Sequence, residues 1–162
     1  MMGSGKSHWA GRIGRALGLP AYDLDTLIEE AEHKKIKEIF EQDGEEYFRK
    51  KEAEILRNRL EGQSFVLACG GGTPCFFGNM DFMKQNGMVL WFNPSLPELV
   101  RRLQKATDAR PILANIQSST ELKEKLSQLI EKRQPWYAQA HLIIPDDFPN
   151  LEEMLHQIAQ FL

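Results

Sequence analysis

The chain opens with the stretch Met1-Met2-Gly3-Ser4-Gly5-Lys6-Ser7. Its second half matches the end of the phosphate-binding P-loop pattern, G-x-x-x-x-G-K-[ST]. In that pattern the glycines free backbone N–H groups to converge on phosphate oxygens, the lysine places a positive charge near the β- and γ-phosphates, and the hydroxyl ligates Mg²⁺. The alternative is a glycine-rich helix start with an incidental lysine. The predicted nucleotide site consists of Gly3, Ser4, Gly5, Lys6 and Ser7.

The same pattern bears on the start of the chain. When Gly5-Lys6-Ser7 is placed on the end of the pattern, its first glycine falls one residue before Met1. The strand that leads into such a loop, the central strand of the sheet, would then also lie upstream. We therefore expect the functional product to carry several more residues, mostly apolar and ending in glycine. A form beginning at Met1 should be poorly stable, because a parallel sheet buried on both faces depends on its middle strand.

Length and composition are typical of an ordinary globular protein. The chain has 162 residues, of which 42% are hydrophobic, and a net charge of −3; this predicts a single domain, 1–162. The absence of a basic block argues against a nucleic-acid-binding protein. With no apolar run of membrane-spanning length and no signal-peptide pattern, we expect a cytoplasmic protein without a membrane partner. We also expect a monomer. Cys69 and Cys75 should be reduced thiols, because two cysteines fit neither a disulfide framework nor a zinc site.

Strand and helix patterns alternate along the chain. Strand patterns cover 21–23, 65–68, 88–92 and 141–144. Helical patterns cover 6–17, 26–59 with breaks near 32–34 and 43–44, 79–85, 96–105, 121–138 and 151–162. This alternation predicts the α/β class, with a doubly wound, three-layer α/β/α fold around a parallel sheet. Ligands of such folds bind at the carboxyl ends of the strands.

Two carboxylates, Asp23 and Asp25, follow the first strand pattern. They should lie at the sheet edge that also holds the phosphate loop. A carboxylate there can orient a metal ion or its water, or it can accept a proton from a substrate hydroxyl. For Asp23 the alternative is an N-cap of the following helix.

A glycine triplet and three arginines complete the candidate set. Gly70-Gly71-Gly72 follows a strand pattern, and glycines without Cβ allow the backbone to approach a ligand closely. The alternative for the triplet is a sharp turn needed only for packing. Arg49, Arg110 and Arg133 suit bidentate contact with a carboxylate or stabilisation of a transferring phosphoryl group. Each arginine alone could instead be an ordinary surface residue.

Taken together, these segments resemble the shikimate kinases. The matching segments, in order and spacing, are Gly3-Ser4-Gly5-Lys6-Ser7, Tyr22-Asp23-Leu24-Asp25, Ile39-Phe40…Gly44-Glu45…Phe48-Arg49…Glu52, Gly70-Gly71-Gly72, Arg110-Pro111-Ile112-Leu113 and Lys132-Arg133…Trp136-Tyr137. The resemblance covers essentially the whole chain. It implies the P-loop kinase fold and transfer of the γ-phosphoryl group of ATP to the 3-hydroxyl of shikimate, a step toward chorismate and the aromatic amino acids.

The resemblance also implies roles on the nucleotide side. Lys6 would bind the β- and γ-phosphates and assist catalysis. Ser7 would ligate Mg²⁺, with Asp23 holding the metal through water. Arg110 would contact the nucleotide and the transferring phosphoryl group, carried there by a lid at 107–119.

On the substrate side, Asp25 would bind a ring hydroxyl of shikimate and steer or deprotonate the attacking 3-hydroxyl. Arg49 and Arg133 would clamp the shikimate carboxylate. The Gly70–Gly72 backbone would line the same pocket. Helices within 24–59 would form the substrate-binding subdomain.

Two other functions stay open at this point. One is another small-molecule or nucleoside monophosphate kinase of the same architecture, which would be marked by a base-binding pocket. The other is an inactive nucleotide-binding or interaction protein. ATP turnover measured with and without shikimate separates the three.

Overall fold

The computed structural model describes residues 1–58, 63–105, 118–145 and 151–161. The strands of these residues are β1 (Ala21–Asp23), β2 (Val66–Ala68), β3 (Leu90–Asn93) and β4 (Leu142–Pro145). The helices are α1 (Lys6–Leu17), α2 (Leu24–Glu32), α3 (Ile36–Gln42), α4 (Gly44–Asn58), α5 (Asn79–Asn86), α6 (Leu96–Lys105), α7 (Ser119–Tyr137) and α8 (Leu151–Ala159). A short 3-10 helix, Thr73–Cys75, follows β2. The predicted α/β class is confirmed.

The described strands form two separate parallel pairs. In the first pair β1 lies beside β2, with Ala21 opposite Val66. In the second pair β3 lies beside β4, with Leu90 opposite Leu142. The parallel direction predicted for the strands is therefore correct. The expected upstream strand is not tested by these residues and stays a prediction.

Apolar clusters on both sides of β2 give the layered arrangement. One cluster joins α1 and α8 to β3 and β4, and Val66 of β2 packs against it. Another lies among α2, α3 and α4, and Leu67 packs against that one. A third joins Met1 and Met2 to α6 and α7. Since neighbouring residues of a strand point to opposite faces, β2 separates α1 from the helical subdomain.

The strand over 65–68 is less buried than its apolar run predicts. Ala68 is buried, whereas Val66 and Leu67 are half-buried. A continuous apolar run such as 65–68 predicts a strand buried on both faces, and that expectation is wrong for these two side chains. The physical reason is that β2 belongs to a two-stranded pair in the described residues, so its neighbours cover it less completely than those of a wider sheet.

Local signals explain where the helices nearest the site begin and end. Gly5 and Gly18 flank α1 in left-handed conformations, with φ of +83° and +66°; glycine adopts such angles without steric cost. Helix α2 begins at Leu24, two residues earlier than the helical pattern indicates, because Asp23 caps it. The predicted breaks after α2 and α3 are confirmed. Within the described ranges, no helix combines the length and apolar character needed to cross a membrane.

Candidate active site

A cavity of about 850 Å³ opens at the carboxyl ends of β1 and β2. The predicted site residues that line it are Gly3, Gly5, Lys6, Ser7, Asp23, Asp25, Arg49, Gly70, Gly71, Gly72 and Arg133. Ser4 does not line it; this residue is buried in the phosphate loop, where its hydroxyl donates to the Met1 carbonyl oxygen at 2.8 Å. Arg110 and most of the predicted lid, 107–117, lie outside the described residues.

The phosphate loop curls around its own lysine. Lys6 Nζ donates to the carbonyl oxygen of Met1 at 2.5 Å and lies 3.5 Å from Ser4 Oγ. Gly3 and Gly5 both have positive φ, at +72° and +83°. A side chain at either position would strain this conformation, so the glycines are what permit the tight turn. The ammonium group is held over the loop, where phosphates bind in P-loop proteins.

Ser7 and Asp23 meet at the base of the loop. Ser7 Oγ donates to Asp23 Oδ2 at 2.5 Å, and Asp23 Oδ1 accepts from the backbone N–H of Asp25 at 3.0 Å. Asp23 is thus the N-cap of α2 and the partner of the serine at once; the N-cap interpretation is confirmed, and a metal role for this residue stays a prediction. Hydroxyl and carboxylate oxygens are the hard donors that Mg²⁺ prefers, and this ion usually keeps several waters and binds substrate phosphates. The pair fits a magnesium site of that kind.

The described residues do not provide an all-protein metal cage. Among them no three or more His, Cys, Asp or Glu side chains cluster where they could hold an ion. Such a cage is not required for Mg²⁺ next to a nucleotide, because phosphate oxygens and waters complete the octahedron. The Ser7–Asp23 pair is therefore the donor set on which a magnesium site depends here.

Arg49 is buried in the cavity wall and held by carboxylates. Its side chain is 5% exposed and lies between Glu45 and Glu52 on α4. Nη1 donates to Glu52 Oε2 at 2.9 Å, while Nε and Nη2 donate to Glu45 Oε1 at 3.2 and 3.1 Å. The guanidinium carbon also lies 4.6 Å from the centre of the Phe76 ring. Arg49 is therefore not a surface residue, and its orientation is set before any ligand binds.

The glycine triplet makes room for side chains of the site. A Cβ on Gly72 would lie 2.5 Å from Arg49 Nη2, and one on Gly71 would lie 3.1 Å from Arg133 Nη1. A Cβ on Gly70 would lie 3.3 Å from Asp25 Oδ1. None of the three has positive φ. The sharp turn is present, because the N–H of Thr73 donates to the Gly70 carbonyl oxygen at 3.2 Å. In addition, the missing Cβ atoms leave room for two guanidinium groups and a carboxylate close to the backbone.

Arg133 reaches the cavity from the far end of the chain. It lies on α7, is 7% exposed, and its Nη1 is 3.9 Å from Met1 Sδ. One helical turn later, the hydroxyl of Tyr137 donates a short hydrogen bond to the carbonyl oxygen of Gly71. Burial raises the pKa of Tyr137 to about 12. This tyrosine anchors the glycine backbone beside Arg133, and sequence reasoning assigned it no role.

Other residues that line the cavity were also missed. Those on α2, α3 and α4 are Thr26, Glu29, Ile36, Lys37, Phe40 and Phe48, and Lys35 precedes α3. Lys35 Nζ donates to Glu29 Oε2 at 2.7 Å, which joins the start of α3 to α2 at the rim. Phe40 and Phe48 lie in segments that carry the family resemblance, but no role was assigned to them. The spacing of the others gave no signal beyond ordinary helix patterns, because only the packing of three helices brings them to one cavity.

Arg102 of α6 lies on the nucleotide side. Its Nη1 is 3.5 Å from the carbonyl oxygen of Gly3, and its Nε donates to Glu98 Oε1 at 2.6 Å. Hydrogen bonds from Arg101 and Arg102 lower the pKa of Glu98 to about 2. A second cation besides Lys6 is therefore held next to the phosphate loop.

Comparison with known proteins points to one family. A family model described as shikimate kinase matches residues 2–162. A shikimate kinase of Parabacteroides distasonis is 35% identical over 99% of this chain and 92% of its own length. One of Bacteroides thetaiotaomicron is 40% identical over 90% of this chain and 83% of its own.

Solved structures agree with these matches. The crystal structure of a shikimate kinase from Bacteroides thetaiotaomicron superposes with a TM-score of 0.86 at 36% identity, covering 99% of this chain and 91% of that one. A shikimate kinase from Acinetobacter baumannii in complex with shikimate gives a TM-score of 0.85 at 29% identity, with coverage of 99% and 87%.

Proposed function

The chain belongs to the shikimate kinase family, and we propose which task each residue of its cavity performs when the γ-phosphoryl group of ATP is transferred to the 3-hydroxyl of shikimate. In phosphoryl transfer the protein itself takes part in little covalent chemistry. Positioning of the two substrates and neutralisation of charge are the tasks that the residues perform.

On the nucleotide side, the loop Gly3–Ser7 binds the phosphates through its N–H groups, and Lys6 turns from the Met1 carbonyl to the β- and γ-phosphates. Ser7 and Asp23 would hold Mg²⁺, and the ion when bound would neutralise negative charge on the phosphates. Support comes from the 2.5 Å contact between these two residues. Arg102 adds a cation on the same side. Arg110, known here from the sequence alone, contacts the phosphoryl group as part of a lid at 107–119.

On the acceptor side, Arg49 and Arg133 bind the shikimate carboxylate. The observation that supports this most is the pair of close approaches at adjacent glycines, where Gly72 faces Arg49 and Gly71 faces Arg133. Two buried guanidinium groups therefore converge on one stretch of backbone. A carboxylated ring can lie on that glycine backbone and reach both cations, and charge-assisted hydrogen bonds of this type are the strong ones.

Asp25 acts on the attacking hydroxyl. It is the second residue of α2, two positions after the capping residue Asp23, and its Oδ1 faces Gly70. From there it binds a ring hydroxyl and steers or deprotonates the 3-hydroxyl. The proton passes to the carboxylate as the new O–P bond forms, and ADP leaves with the broken bond.

The decisive experiment is ATP consumption measured with shikimate, without an acceptor, and with a nucleoside monophosphate. We expect turnover that depends on shikimate. Quinate, which lacks the ring double bond, should be a poorer acceptor. ATP consumption that occurs with a nucleoside monophosphate as acceptor and does not occur with shikimate would contradict the proposal.

Further expectations from the sequence stay proposals. They are a monomeric state, a cytoplasmic location, and the lack of nucleic-acid and membrane partners. The net charge of −3 and the absence of a basic block support only the lack of a nucleic-acid partner. Sedimentation of the purified protein with and without both substrates tests the monomer.

A further inference from the structure

Thr73 lies behind the substrate pocket and is completely buried. Its exposed fraction is 0%, and its hydroxyl donates to Glu52 Oε1 at 2.5 Å. Glu52 is also 0% exposed. Thr73 follows the glycine triplet and does not itself line the cavity.

The Thr73 hydroxyl is the hydrogen-bond donor for one of the two carboxylate oxygens of Glu52. Oε2 accepts from Arg49 Nη1 at 2.9 Å, and Oε1 accepts from Thr73. A buried carboxylate is tolerated only when its oxygens are paired. Removal of the hydroxyl would leave Oε1 without this donor. The carboxylate would then be free to rotate, and the guanidinium group bound to Oε2 would lose its fixed position.

The threonine hydroxyl stands on a well-held backbone. The N–H of Thr73 donates to the Gly70 carbonyl oxygen at 3.2 Å, and its own carbonyl oxygen accepts from Asn79 Nδ2 at 2.9 Å. Asn79 Oδ1 accepts in turn from Arg57 Nη1 on α4 at 2.8 Å. The loop after β2 is thereby tied to the helix that carries Glu52.

Gly70 provides the space in which this hydrogen bond fits. A Cβ on that residue would lie 3.1 Å from both Glu52 Oε1 and Thr73 Oγ1. The hydrogen-bonded pair therefore sits directly beneath the glycine that also faces Asp25. The missing Cβ of Gly70 thus leaves room both for Asp25 in the cavity and for the buried Glu52–Thr73 pair.

We propose that Thr73 is a positioning residue for recognition of the acceptor's carboxylate, acting through Glu52 on Arg49. The inference rests on the carboxylate-binding role of Arg49 proposed above. The side chain that touches the acceptor is Arg49; Thr73 holds the carboxylate that aims it. A hydroxyl at this position is required, and an isosteric methyl group does not replace it.

The first test compares Thr73→Val, Thr73→Ser and Thr73→Ala in the full chain, with Thr120→Val as the matched control on an exposed position of α7. Steady-state kinetics with ATP and shikimate give both KM values and kcat. Losing a buried partner should raise the shikimate KM about 5- to 50-fold in the Val and Ala variants. Ser keeps the hydroxyl and should stay within about twofold of the original, as should the control. The KM for ATP should not change.

Melting temperature and binding of an ATP analogue show which variants are folded. If Thr73→Val does not fold, the comparison of Ala with Ser supplies the same contrast. A shikimate KM that is unchanged in a folded Val or Ala variant overturns the proposal, and so does an equal rise in the KM for ATP.

The second test separates this inference from the role of Arg49. In an Arg49→Ala background, Thr73→Val should change the shikimate KM by less than about twofold, because residues acting through one another are not additive. If Arg49→Ala alone leaves the shikimate KM unchanged, the proposed role of Arg49 fails. If Arg49→Ala raises it and Thr73→Val multiplies it further by its full single-variant factor, only the coupling through Arg49 fails.

Discussion

Ser7 Oγ donates a hydrogen bond of 2.5 Å to Asp23 Oδ2, although 16 residues separate the two in the chain. The contact ties the first turn of α1 to the end of β1. It places a hydroxyl and a carboxylate side by side next to the phosphate loop. This is the arrangement from which the magnesium proposal follows.

Asp23→Asn should raise the Mg²⁺ concentration needed for half-maximal activity by about tenfold, because the amide removes the negative charge near the ion. The fold should be nearly unaffected, since asparagine caps a helix as well as aspartate does. Asp23→Ala is the comparison and should also cost about 1 kcal/mol of unfolding free energy. A magnesium titration of activity and a melting curve measure the two effects. If Asp23→Asn needs the same magnesium concentration as the original protein, a metal role for Asp23 is contradicted.

Gly72→Ala should impair shikimate binding and leave ATP binding intact. The new Cβ would lie 2.5 Å from Arg49 Nη2, and the backbone itself, with φ of −92°, accepts alanine. Gly87→Ala is the matched control, because it sits on extended backbone with nothing within 4 Å. Calorimetric titration with each substrate checks this. Normal shikimate affinity in the Gly72 variant would show that Arg49 moves away without functional loss.

Arg49→Ala and Arg133→Ala should each weaken shikimate binding by about 1.5–3 kcal/mol, the value of a charge-assisted hydrogen bond. Lysine should restore binding only in part, since an ammonium cannot reproduce the bidentate guanidinium group. Arg49→Ala should in addition lower the melting temperature, because it leaves the buried Glu52 carboxylate without its cation. Parallel loss of ATP affinity in both variants would rule out the carboxylate clamp.

Asp25→Asn should lower kcat far more than it changes the affinity for ATP. The amide keeps the shape and can still hydrogen-bond, but it cannot accept the proton of the 3-hydroxyl. Single-turnover measurements with both substrates saturating isolate this step. Turnover near the original value would leave Asp25 as a positioning residue.

Alkaline pH should destabilise the protein through Tyr137. The pKa of this buried phenol rises from 10.0 to about 12 on folding, mainly because burial disfavours the phenolate. Between these values the unfolded chain releases a proton that the folded protein keeps, so the free energy of unfolding falls as pH rises. The loss should approach roughly 2–3 kcal/mol. Urea midpoints at several pH values should show a flatter slope for Tyr137→Phe, and an unchanged slope would contradict this cause.

Local sequence patterns predicted the elements well where one short segment contains the whole signal. Helix α1 was predicted with its observed bounds because Gly18 and Pro20 end it, and α6 was predicted equally well. The start of α2 was placed two residues late, because the helical pattern was taken from Thr26 although Asp23 caps the helix and Leu24 begins it. Hydrogen bonds within a few residues of the chain decide such elements, so the sequence contains the information.

In the candidate site, too, some features could be predicted from local sequence and others depend on tertiary contacts. By itself the sequence predicted the phosphate loop and the residues that we propose for the acceptor pocket, because each motif is contiguous and its chemistry is local. Only the tertiary structure decided that Gly72 must lack a Cβ for Arg49, that Tyr137 holds the Gly71 backbone, and that Thr73 supports Glu52. These contacts join residues 21 or more positions apart. Their energy comes from burial and from pairing of polar groups away from water, which depends on three-dimensional packing and leaves no periodic signal in the chain.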